Sequence, residues 1–548
     1  MNDQRNSSKW LVLIVAWATF ALYGAIAAPV PGVNEPHYLC KAKHFWQPDW
    51  CQKDFFLSSP NAHTVFYVTV GALTQVFTLD QSAWIARALA SLVLAWGWVK
   101  GLSPLFCTTW APLWCAWVFL AMASCGNFSG EWLVGGVEGK VFSYGLLLAA
   151  FGDFQQRRYV RAAVWSGVAV SFHPVVGLWG LLAFFASQVT MIAVAGRKAR
   201  RETLQKANST VGNPNTDSDH ATTTLSSQVK MLATNALRYG FIIFLFGLPG
   251  LLPVFQLLTE KVPPDTKYAG NYLQVYFRLA HHLDPMIFSR NAYWGYAFLL
   301  IVFLIGFTWG GRSNARKAFD SVVVWAVIFA IAGVLIGYGP RPAHLMPYFA
   351  QRMVLLKFYP FRLGDVLLPL AVAVSVIAIL ERTLLNSSPL KTGFPSRVPL
   401  FFLVLLLIGT LLRANSISEH NRYSKEDRWE WLDVCDWIDR NLPADALVQS
   451  PTNGWAFKWF ARRAEYVAFK DCPQDAAGIV EWNRRLNFLQ KWYEDKYADN
   501  FYSRSELKGL RDQTGLTHLL TDRLGPLDLK PIYRNDTFQV YDLTELDQ

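Results

Sequence analysis

Long apolar runs alternate with polar loops along this chain of 548 residues. The clearest runs span residues 10–30, 83–99, 105–123, 239–258, 294–310, 322–338, 366–380 and 398–412. Each approaches the roughly 20 apolar residues that a helix needs to cross the hydrocarbon layer of a bilayer. Hydrophobic residues make up 52% of the chain and charged residues only 17%, which is too apolar for a large soluble protein. The pattern predicts a polytopic α-helical membrane protein with about 11 transmembrane helices.

Basic residues between the apolar runs predict the orientation of these helices. The basic segments lie at 155–161, 196–201, 310–317 and 382–397. Placing them in the cytoplasm puts the N-terminus inside and the C-terminus outside. The external loops are then 30–82, 123–140, 260–292 and 338–363, provided that the apolar stretch 63–79 lies at the interface without crossing. The formal charge of +11 is thus explained by topology, and the sequence contains no nucleic-acid-binding motif.

The chain divides into a membrane module, residues 1–413, and an external soluble domain, residues 424–548. In the second part WEWLDVCDWIDRNL has the period of an amphipathic helix, and ALVQSP, EYVAFK, THLLTD, KPIYR and TFQVYDL are short strand-like runs. A small α/β domain is predicted. Within the membrane module, residues 202–230 are rich in Ser, Thr, Asn and Asp without an apolar period, so the cytoplasmic loop 197–237 is predicted to be disordered.

Two pairs of cysteines fall in segments predicted to be external. Cys40 and Cys51 share the first loop, and Cys435 and Cys472 share the C-terminal domain. In an oxidising compartment these two pairs form disulfides, or they are free buried thiols. Spacing alone leaves both alternatives open.

A carboxylate, Glu35, stands just beyond the first apolar run in the stretch PGVNEPHYLCKAKHF. Nearby prolines stiffen the backbone around it. The interfacial stretch 63–79 would cover it, and a rigid, half-buried carboxylate is suited to act as a general base. The alternative is a solvated carboxylate at a helix end. His37 follows two residues later as a candidate for substrate binding.

Further polar residues lie on the same predicted side of the membrane. The second external loop carries Glu131, Glu138 and Lys140 among closely spaced glycines, and the third carries Arg278, His281 and His282. His173 precedes Pro174 and interrupts an apolar run. An intramembrane histidine is a functional candidate, although a histidine bonded to a carbonyl that the proline frees is an equally simple explanation.

Three basic residues in the fourth external loop, Arg352, Lys357 and Arg362, oppose the positive-inside tendency. Guanidinium groups bind phosphate by paired hydrogen bonds, and the interleaved Met, Leu, Phe and Tyr residues suit a lipid chain. We therefore interpret this stretch, PYFAQRMVLLKFYPFRLGD, as a site for a lipid-linked phosphate. Snorkelling toward lipid headgroups is the alternative.

The order of these parts resembles the GT-C superfamily of membrane glycosyltransferases, which includes the protein O-mannosyltransferase and aminoarabinose-transferase families. Those families carry an Asp-Glu-type motif in the first external loop, and Asn34-Glu35 stands at the matching position here. The first acid is therefore replaced by Asn34. The tail, from WLDVCDWIDRNLPADALV to TFQVYDL, is similar to the tails of bacterial members.

The resemblance implies transfer of a sugar from a polyprenyl-phosphate donor to an envelope acceptor, outside the bacterial inner membrane. Glu35 would accept the proton of the acceptor hydroxyl, and Arg352, Lys357 and Arg362 would stabilise the departing phosphate. Glu138 would orient the acceptor or share a divalent cation with Glu35, although no ligand cluster has a spacing diagnostic of a metal. The alternative functions are transport, which predicts internal repeats that are not evident, and non-catalytic glycan binding.

Overall fold

The computed structural model describes residues 2–32, 34–122, 125–209, 215–309, 313–386, 407–412, 425–452, 454–522 and 524–547. The helices of the membrane module are α1 (Asn2–Ala27), α2 (Glu35–Trp46), α3 (Thr64–Val68), α4 (Leu79–Leu102), α5 (Ala111–Met122), α6 (Gly139–Gln155), α7 (Tyr159–Phe172), α8 (Pro174–Ser209), α9 (Asn215–Leu258), α10 (Pro264–Tyr272), α11 (Ala280–Leu283), α12 (Arg290–Trp309), α13 (Asn314–Gly337), α14 (Phe349–Leu356) and α15 (Arg362–Asn386).

Seven helices in the described residues are long and apolar enough to cross a membrane. They are α1, α4, α8, α9, α12, α13 and α15, and the shorter helix α5 is also apolar. The chain is therefore an integral membrane protein with several apolar helices, while the number of eleven crossings stays a prediction. Most of the predicted run 398–412 lies outside the described residues.

The centre of the bundle is held by close contact between α4 and α6. A Cβ added at Gly97 would collide with the carbonyl oxygen of Gly145, and one at Gly145 would lie 2.8 Å from the carbonyl oxygen of Val93. Small residues allow helix backbones to approach in this way inside a membrane, where hydrophobicity cannot drive association. α15 is mostly buried in the bundle and α9 is mostly exposed, so α9 lies at its edge.

The stretch 63–79 does not cross the bundle. It forms the five-residue helix α3 and a 3₁₀ turn, Val70–Gln75, which are together too short to span the hydrocarbon layer. A single interfacial helix was predicted here. The structure breaks it at Thr69, whose φ and ψ of −96° and −82° lie outside the helical region.

The disorder of the loop 197–237 stays a prediction, and the described backbone on both sides of residues 210–214 is helical. The backbone of α8 continues to Ser209, and α9 begins at Asn215. Adding residues to an existing helix costs far less than nucleating one, so a polar segment can extend an apolar helix. Residues 210–214 lie outside the described part of the chain.

The C-terminal part contains a five-stranded sheet with four helices. The strands are β1 (Leu447–Gln449), β2 (Ala464–Glu465), β3 (His518–Thr521), β4 (Tyr533–Arg534) and β5 (Gln539–Asp542), and the helices are α16 (Lys425–Asn441), α17 (Phe457–Ala461), α18 (Ala476–Lys496) and α19 (Arg504–Thr514). Their order in the sheet is β2-β1-β3-β5-β4, with β2, β1 and β3 parallel and the other two antiparallel to their neighbours.

The sheet agrees with the strand-like runs of the sequence, whereas α18 and α19 were not predicted. α19 begins with a capping box in which Ser503 and Glu506 bond each other's backbone. All seven cysteines are free in the structure, and Cys435 packs in a hydrophobic cluster separate from that of Cys472. Of the two alternatives for these thiols, the structure contains free thiols.

Candidate functional site

A cavity of about 1130 Å³ lies between the membrane module and the C-terminal sheet. All four loops predicted to be external contribute to its walls, as do the segments that follow β1 and β2. The loops and the sheet therefore meet at one end of the helix bundle. Nine of the eleven predicted site residues line the cavity: His37, Glu138, Lys140, His173, Arg278, His281, His282, Lys357 and Arg362.

Glu35 does not face this cavity. It is fully buried and forms a two-point ion pair with Arg87 of α4, whose Nε lies 2.6 Å and Nη2 2.7 Å from the two carboxylate oxygens. The backbone N–H groups of Gly32 and Val137 donate to the same carboxylate at 2.6 and 3.0 Å. Four donors thus hold Glu35, which joins the first loop, the second loop and α4. Its predicted role as general base does not fit this position.

Arg87 was missed by the sequence analysis, although a signal was present. It is the single charged residue within the apolar run 83–99. A charge inside such a run needs a partner, because burial of an unpaired ion is costly. Its partner Glu35 lies 52 residues earlier, which only the tertiary structure reveals.

Two carboxylates of the second loop lie in the cavity wall on either side of Lys140. The ammonium of Lys140 lies 3.5 Å from Glu131 Oε2 and 3.3 Å from Glu138 Oε2. Glu131 also pairs with Arg362, whose Nε lies 3.1 Å from Oε2. The other oxygen of Glu138 accepts a hydrogen bond from the side-chain amide of Asn34. Asn34, at the position of the first acid in the GT-C motif, therefore positions Glu138.

The second loop is fixed by Asp365 of α15. This buried carboxylate accepts hydrogen bonds from the backbone N–H groups of Phe128 and Ser129 at 3.0 and 2.8 Å, and from the Ser129 hydroxyl at 2.7 Å. Asn127 in turn accepts from the N–H of Glu131 at 3.0 Å. These bonds set the position of the carboxylate of Glu131 at the cavity wall.

Neutral histidines form another part of the wall. Burial lowers the pKa of His63 and of His282 to about 3. His63 Nε2 lies 3.4 Å from the hydroxyl of Tyr38, and His282 Nδ1 bonds the carbonyl of Ser129. The ring of His173 lies beside Arg362, with Nε2 3.2 Å from Nη1. His63 was not singled out from the sequence.

No group of three or more His, Cys, Asp or Glu side chains among the described residues is arranged to hold a metal ion. Glu35 is engaged with Arg87, and Glu138 is engaged with Lys140 and Asn34. The divalent cation considered for these two residues is therefore not supported by their arrangement.

The C-terminal sheet is attached to the first loop through buried ionic contacts. Lys458 Nζ lies 2.6 Å from Asp471, 2.8 Å from Glu465 and 3.4 Å from Asp54 of the first loop. Asp471 also lies 3.2 Å from His37 Nδ1. Burial by itself raises the pKa of Asp471, but its contacts with Lys458 and His37 bring that pKa below the ordinary value. The cavity is thus closed on one side by a firmly held domain.

The basic residues of the third and fourth loops differ in what holds them. Lys357 donates to the amide oxygen of Asn271 at 3.0 Å, and Arg278 donates to the carbonyl of Lys470 at 2.8 Å. Neither is paired with a carboxylate among the described residues. Burial and the nearby Lys267 lower the pKa of Lys357.

Arg352 does not reach the cavity, which corrects its predicted role in phosphate binding. Its guanidinium donates to the carbonyls of Tyr338 at 2.9 Å and Ile336 at 3.3 Å. These are carbonyls at the C-terminal end of α13, where a cation satisfies acceptors that lack a helical partner. The contacts of Arg352 therefore stabilise the end of α13 and do not involve the cavity.

One side of the cavity is apolar and is formed by membrane helices. Val254, Leu257 and Leu258 of α9 line it together with Val354 and Phe358. Leu258, Val354 and Phe358 are also substantially exposed. The cavity therefore combines a polar region of charged and amide groups with an apolar region beside α9 and α14.

A family model, Domain of unknown function (DUF6798), matches residues 429–489. This segment contains β1, β2 and the cavity wall after each strand. A search of curated proteins finds no match.

Solved structures similar to the chain include the following two. One is the oligosaccharyltransferase of Archaeoglobus fulgidus tethered to an acceptor peptide, at 11% identity and a TM-score of 0.39, covering 94% of this chain and 69% of that one. The other is ArnT from Cupriavidus metallidurans bound to undecaprenyl phosphate, at 12% identity and a TM-score of 0.46, covering 97% of each chain.

Proposed function

We propose that the protein transfers a sugar from a polyprenyl-phosphate donor to an acceptor of the cell envelope, on the extracytoplasmic side of the bacterial inner membrane. The observation that carries the proposal is that one cavity combines acidic, basic and apolar walls at the end of a membrane bundle. A lipid-linked sugar phosphate has the same three parts: a hydroxyl-rich ring, an anion and a hydrocarbon chain.

The donor phosphate is proposed to bind Lys357 and Arg278. These two cations line the cavity without a carboxylate partner in the described residues, so their charge is open to a bound anion. Lys357 immediately follows α14, beside the apolar residues Val354 and Phe358. The lipid chain would then follow the apolar wall toward α9. Arg362, by contrast, is engaged by Glu131.

Glu131 is proposed to act as the general base. Its Oε1 atom is buried and has no hydrogen-bond partner among the described residues, while Oε2 faces Arg362 and Lys140. The acceptor oxygen would bond to the anomeric carbon as its proton passes to Oε1, and the bond between the anomeric carbon and the phosphate oxygen would break. The electron pair leaves with the phosphate, where Lys357 and Arg278 stabilise the added charge. Glu138 is proposed to orient the acceptor.

The test uses the purified full-length protein in lipid nanodiscs with a panel of polyprenyl-phosphate sugars and envelope acceptors. Release of polyprenyl phosphate is followed for the wild type, Glu131→Gln and Glu138→Gln. We expect Glu131→Gln to lower the rate by at least about 100-fold, in line with loss of a general base. Glu545→Gln, an exposed carboxylate in the C-terminal turn, is the matched control.

Two results would contradict the proposal. Folded protein that releases no polyprenyl phosphate from any donor would remove the transferase function and favour transport or glycan binding. Full release by Glu131→Gln, with loss in Glu138→Gln, would exchange the roles of the two carboxylates.

A further inference from the structure

The ammonium group of Lys140 is enclosed by two carboxylates and an aromatic ring. It lies 3.5 Å from Glu131 Oε2, 3.3 Å from Glu138 Oε2 and 4.1 Å from the centre of the Trp132 ring. The lysine side chain is only 5% exposed. Carboxylates and the face of an aromatic ring both attract a cation. The two carboxylates therefore share one positive charge that belongs to the protein.

The position of Lys140 in its helix does not by itself favour a cation. Lys140 is the second residue of α6, and the N-terminus of a helix carries a partial positive charge that repels an ammonium. The adjacent Gly139 fixes this turn against α7, because a Cβ there would lie 2.5 Å from the carbonyl oxygen of Phe172. The attraction of Glu131 and Glu138 thus holds the ammonium at a helix end that disfavours it.

The charges of the two carboxylates are matched by two cations of the protein. Besides Lys140, the Nε atom of Arg362 lies 3.1 Å from the same oxygen of Glu131, Oε2. A divalent ion bound to that oxygen at about 2.1 Å would lie within roughly 6 Å of both cations. Like charges this close repel strongly in a buried site. A divalent ion would therefore have to displace one of the two cations.

Asn34 supplies a hydrogen-bond donor where a metal site needs an acceptor. Its side-chain NH₂ group donates to Glu138 Oε1, while the ammonium of Lys140 lies beside Oε2. Both oxygens of Glu138 are thus engaged by groups that carry hydrogen atoms. A carboxylate at position 34 would instead offer a further oxygen ligand to a metal ion. The side chains around Glu138 are therefore arranged against a metal ion.

We infer that Lys140 takes the place of a divalent cation between Glu131 and Glu138, so that this pair of carboxylates excludes a metal ion. Its consequence for the reaction, which rests on the proposed function, is that sugar transfer needs no divalent cation. Without the ammonium, the two carboxylates carry more negative charge than Arg362 neutralises. Carboxylates completed by water molecules are a common site for Mg²⁺ or Mn²⁺. Lys140→Ala should therefore create a site for such an ion.

The experiment measures Mn²⁺ binding to the full-length protein in phosphatidylcholine nanodiscs, from the loss of the electron paramagnetic resonance signal of free Mn²⁺. Empty nanodiscs give the background. We expect Lys140→Ala to bind Mn²⁺ at least about tenfold more tightly than the wild type. Adding Glu138→Gln to this variant removes one ligand and should return the affinity to that of the wild type. Lys508→Ala, which removes an exposed ammonium 2.9 Å from Asp547, is the matched control and should behave as the wild type.

The wild type provides a test that does not depend on the folding of Lys140→Ala. Its Mn²⁺ binding should be unchanged in Glu138→Gln, and its release of polyprenyl phosphate should be the same with EDTA and with Mn²⁺. Mn²⁺ binding by the wild type that is lost in Glu138→Gln would overturn the inference. Release that stops with EDTA and returns with Mn²⁺ would also overturn it.

The variant and the reaction give separate outcomes. Folded Lys140→Ala that binds Mn²⁺ no better than the wild type would show that the ammonium does not exclude a metal ion, whatever the activity. If Mn²⁺ binding follows the expected pattern but no donor is turned over under any condition, the proposed function fails and the exclusion of a metal ion by Lys140 stands.

Discussion

Replacing Glu35 by glutamine tests whether this carboxylate is structural or catalytic. The side chain is fully buried and receives four N–H donors, two of them from Arg87. Glutamine keeps the shape but removes the charge, and it turns an NH₂ group toward at least one of those donors. Arg87, itself 6% exposed, is then left without its counter-ion.

The expected cost follows from this geometry. Removing one member of a buried ion pair typically destabilises a protein by about 3–5 kcal/mol. Since each 1.4 kcal/mol is a factor of ten, the ratio of folded to unfolded protein should fall roughly 100- to 4000-fold. Arg87→Met should cost a similar amount. The double variant should cost less than the sum of the two, because neither charge is then buried alone, with a coupling of about 0.5–3 kcal/mol.

The assay is denaturant unfolding in mixed micelles, followed by tryptophan fluorescence, together with release of polyprenyl phosphate at a temperature where each variant is folded. We expect Glu35→Gln to lose stability and to keep its rate per folded molecule. If Glu35→Gln unfolds at the wild-type midpoint and releases no polyprenyl phosphate, the structural role is wrong. Glu35 would then be the base that the sequence suggested.

Three further predictions concern the cavity and its walls. Lys357→Met should raise the KM for the lipid-linked donor about 10- to 100-fold, which corresponds to the loss of one charge-assisted hydrogen bond. Arg352→Met should lower stability and leave the KM unchanged. Steady-state kinetics measure both values, and a raised KM in Arg352→Met with an unchanged KM in Lys357→Met would show that Arg352 binds the phosphate. Burial lowers the pKa of His63 and of His282 from 6.5 to about 3. Between pH 6.5 and about pH 3, these two side chains therefore bind protons in the unfolded chain but not in the folded chain. Stability should therefore fall as the pH is lowered through this window, and His63→Phe should reduce the slope of unfolding free energy against pH by about 1.4 kcal/mol per unit; an unchanged slope would contradict it. Lys458→Met leaves the buried carboxylates of Asp54 and Glu465, and the partly buried carboxylate of Asp471, without their cation. It should weaken docking of the C-terminal sheet by about 3–5 kcal/mol, which limited proteolysis would detect. Resistance to the protease equal to that of the wild type would contradict this role.

The candidate site was recognisable in part because charged and histidine side chains beside apolar runs have few other reasons to occur in a membrane protein. Lys140, His173 and Lys357 interrupt apolar surroundings in the sequence, and the structure brings all three to one cavity. Lys357 and Arg352 looked equivalent from the sequence. The fold separates them, since Arg352 contacts the end of α13 and Lys357 faces the cavity.

The roles of the acidic residues were not accessible from spacing. Glu35 and Glu131 each lie among glycines or prolines in polar loops. The residues beside them in the sequence do not indicate which of the two carboxylates is neutralised by a buried cation and which lines a cavity. The fold places Arg87 against the first and the cavity against the second. His63 was missed for the same reason, because its importance lies in being buried beside a cavity.

The sequence by itself determined that the chain is an integral membrane protein and predicted a small C-terminal α/β domain, because the length of apolar runs and the short strand-like runs are local features that can be read from the residue order. The tertiary structure decided which charges neutralise each other and which remain available to a ligand. That choice depends on side chains far apart in the chain, such as Glu35 and Arg87, 52 residues apart, or His37 and Asp471, 434 residues apart. In a low-dielectric interior, leaving one member of such a pair without its partner costs several kcal/mol of stability, roughly 3–5. No local pattern in the sequence shows which two side chains form a pair.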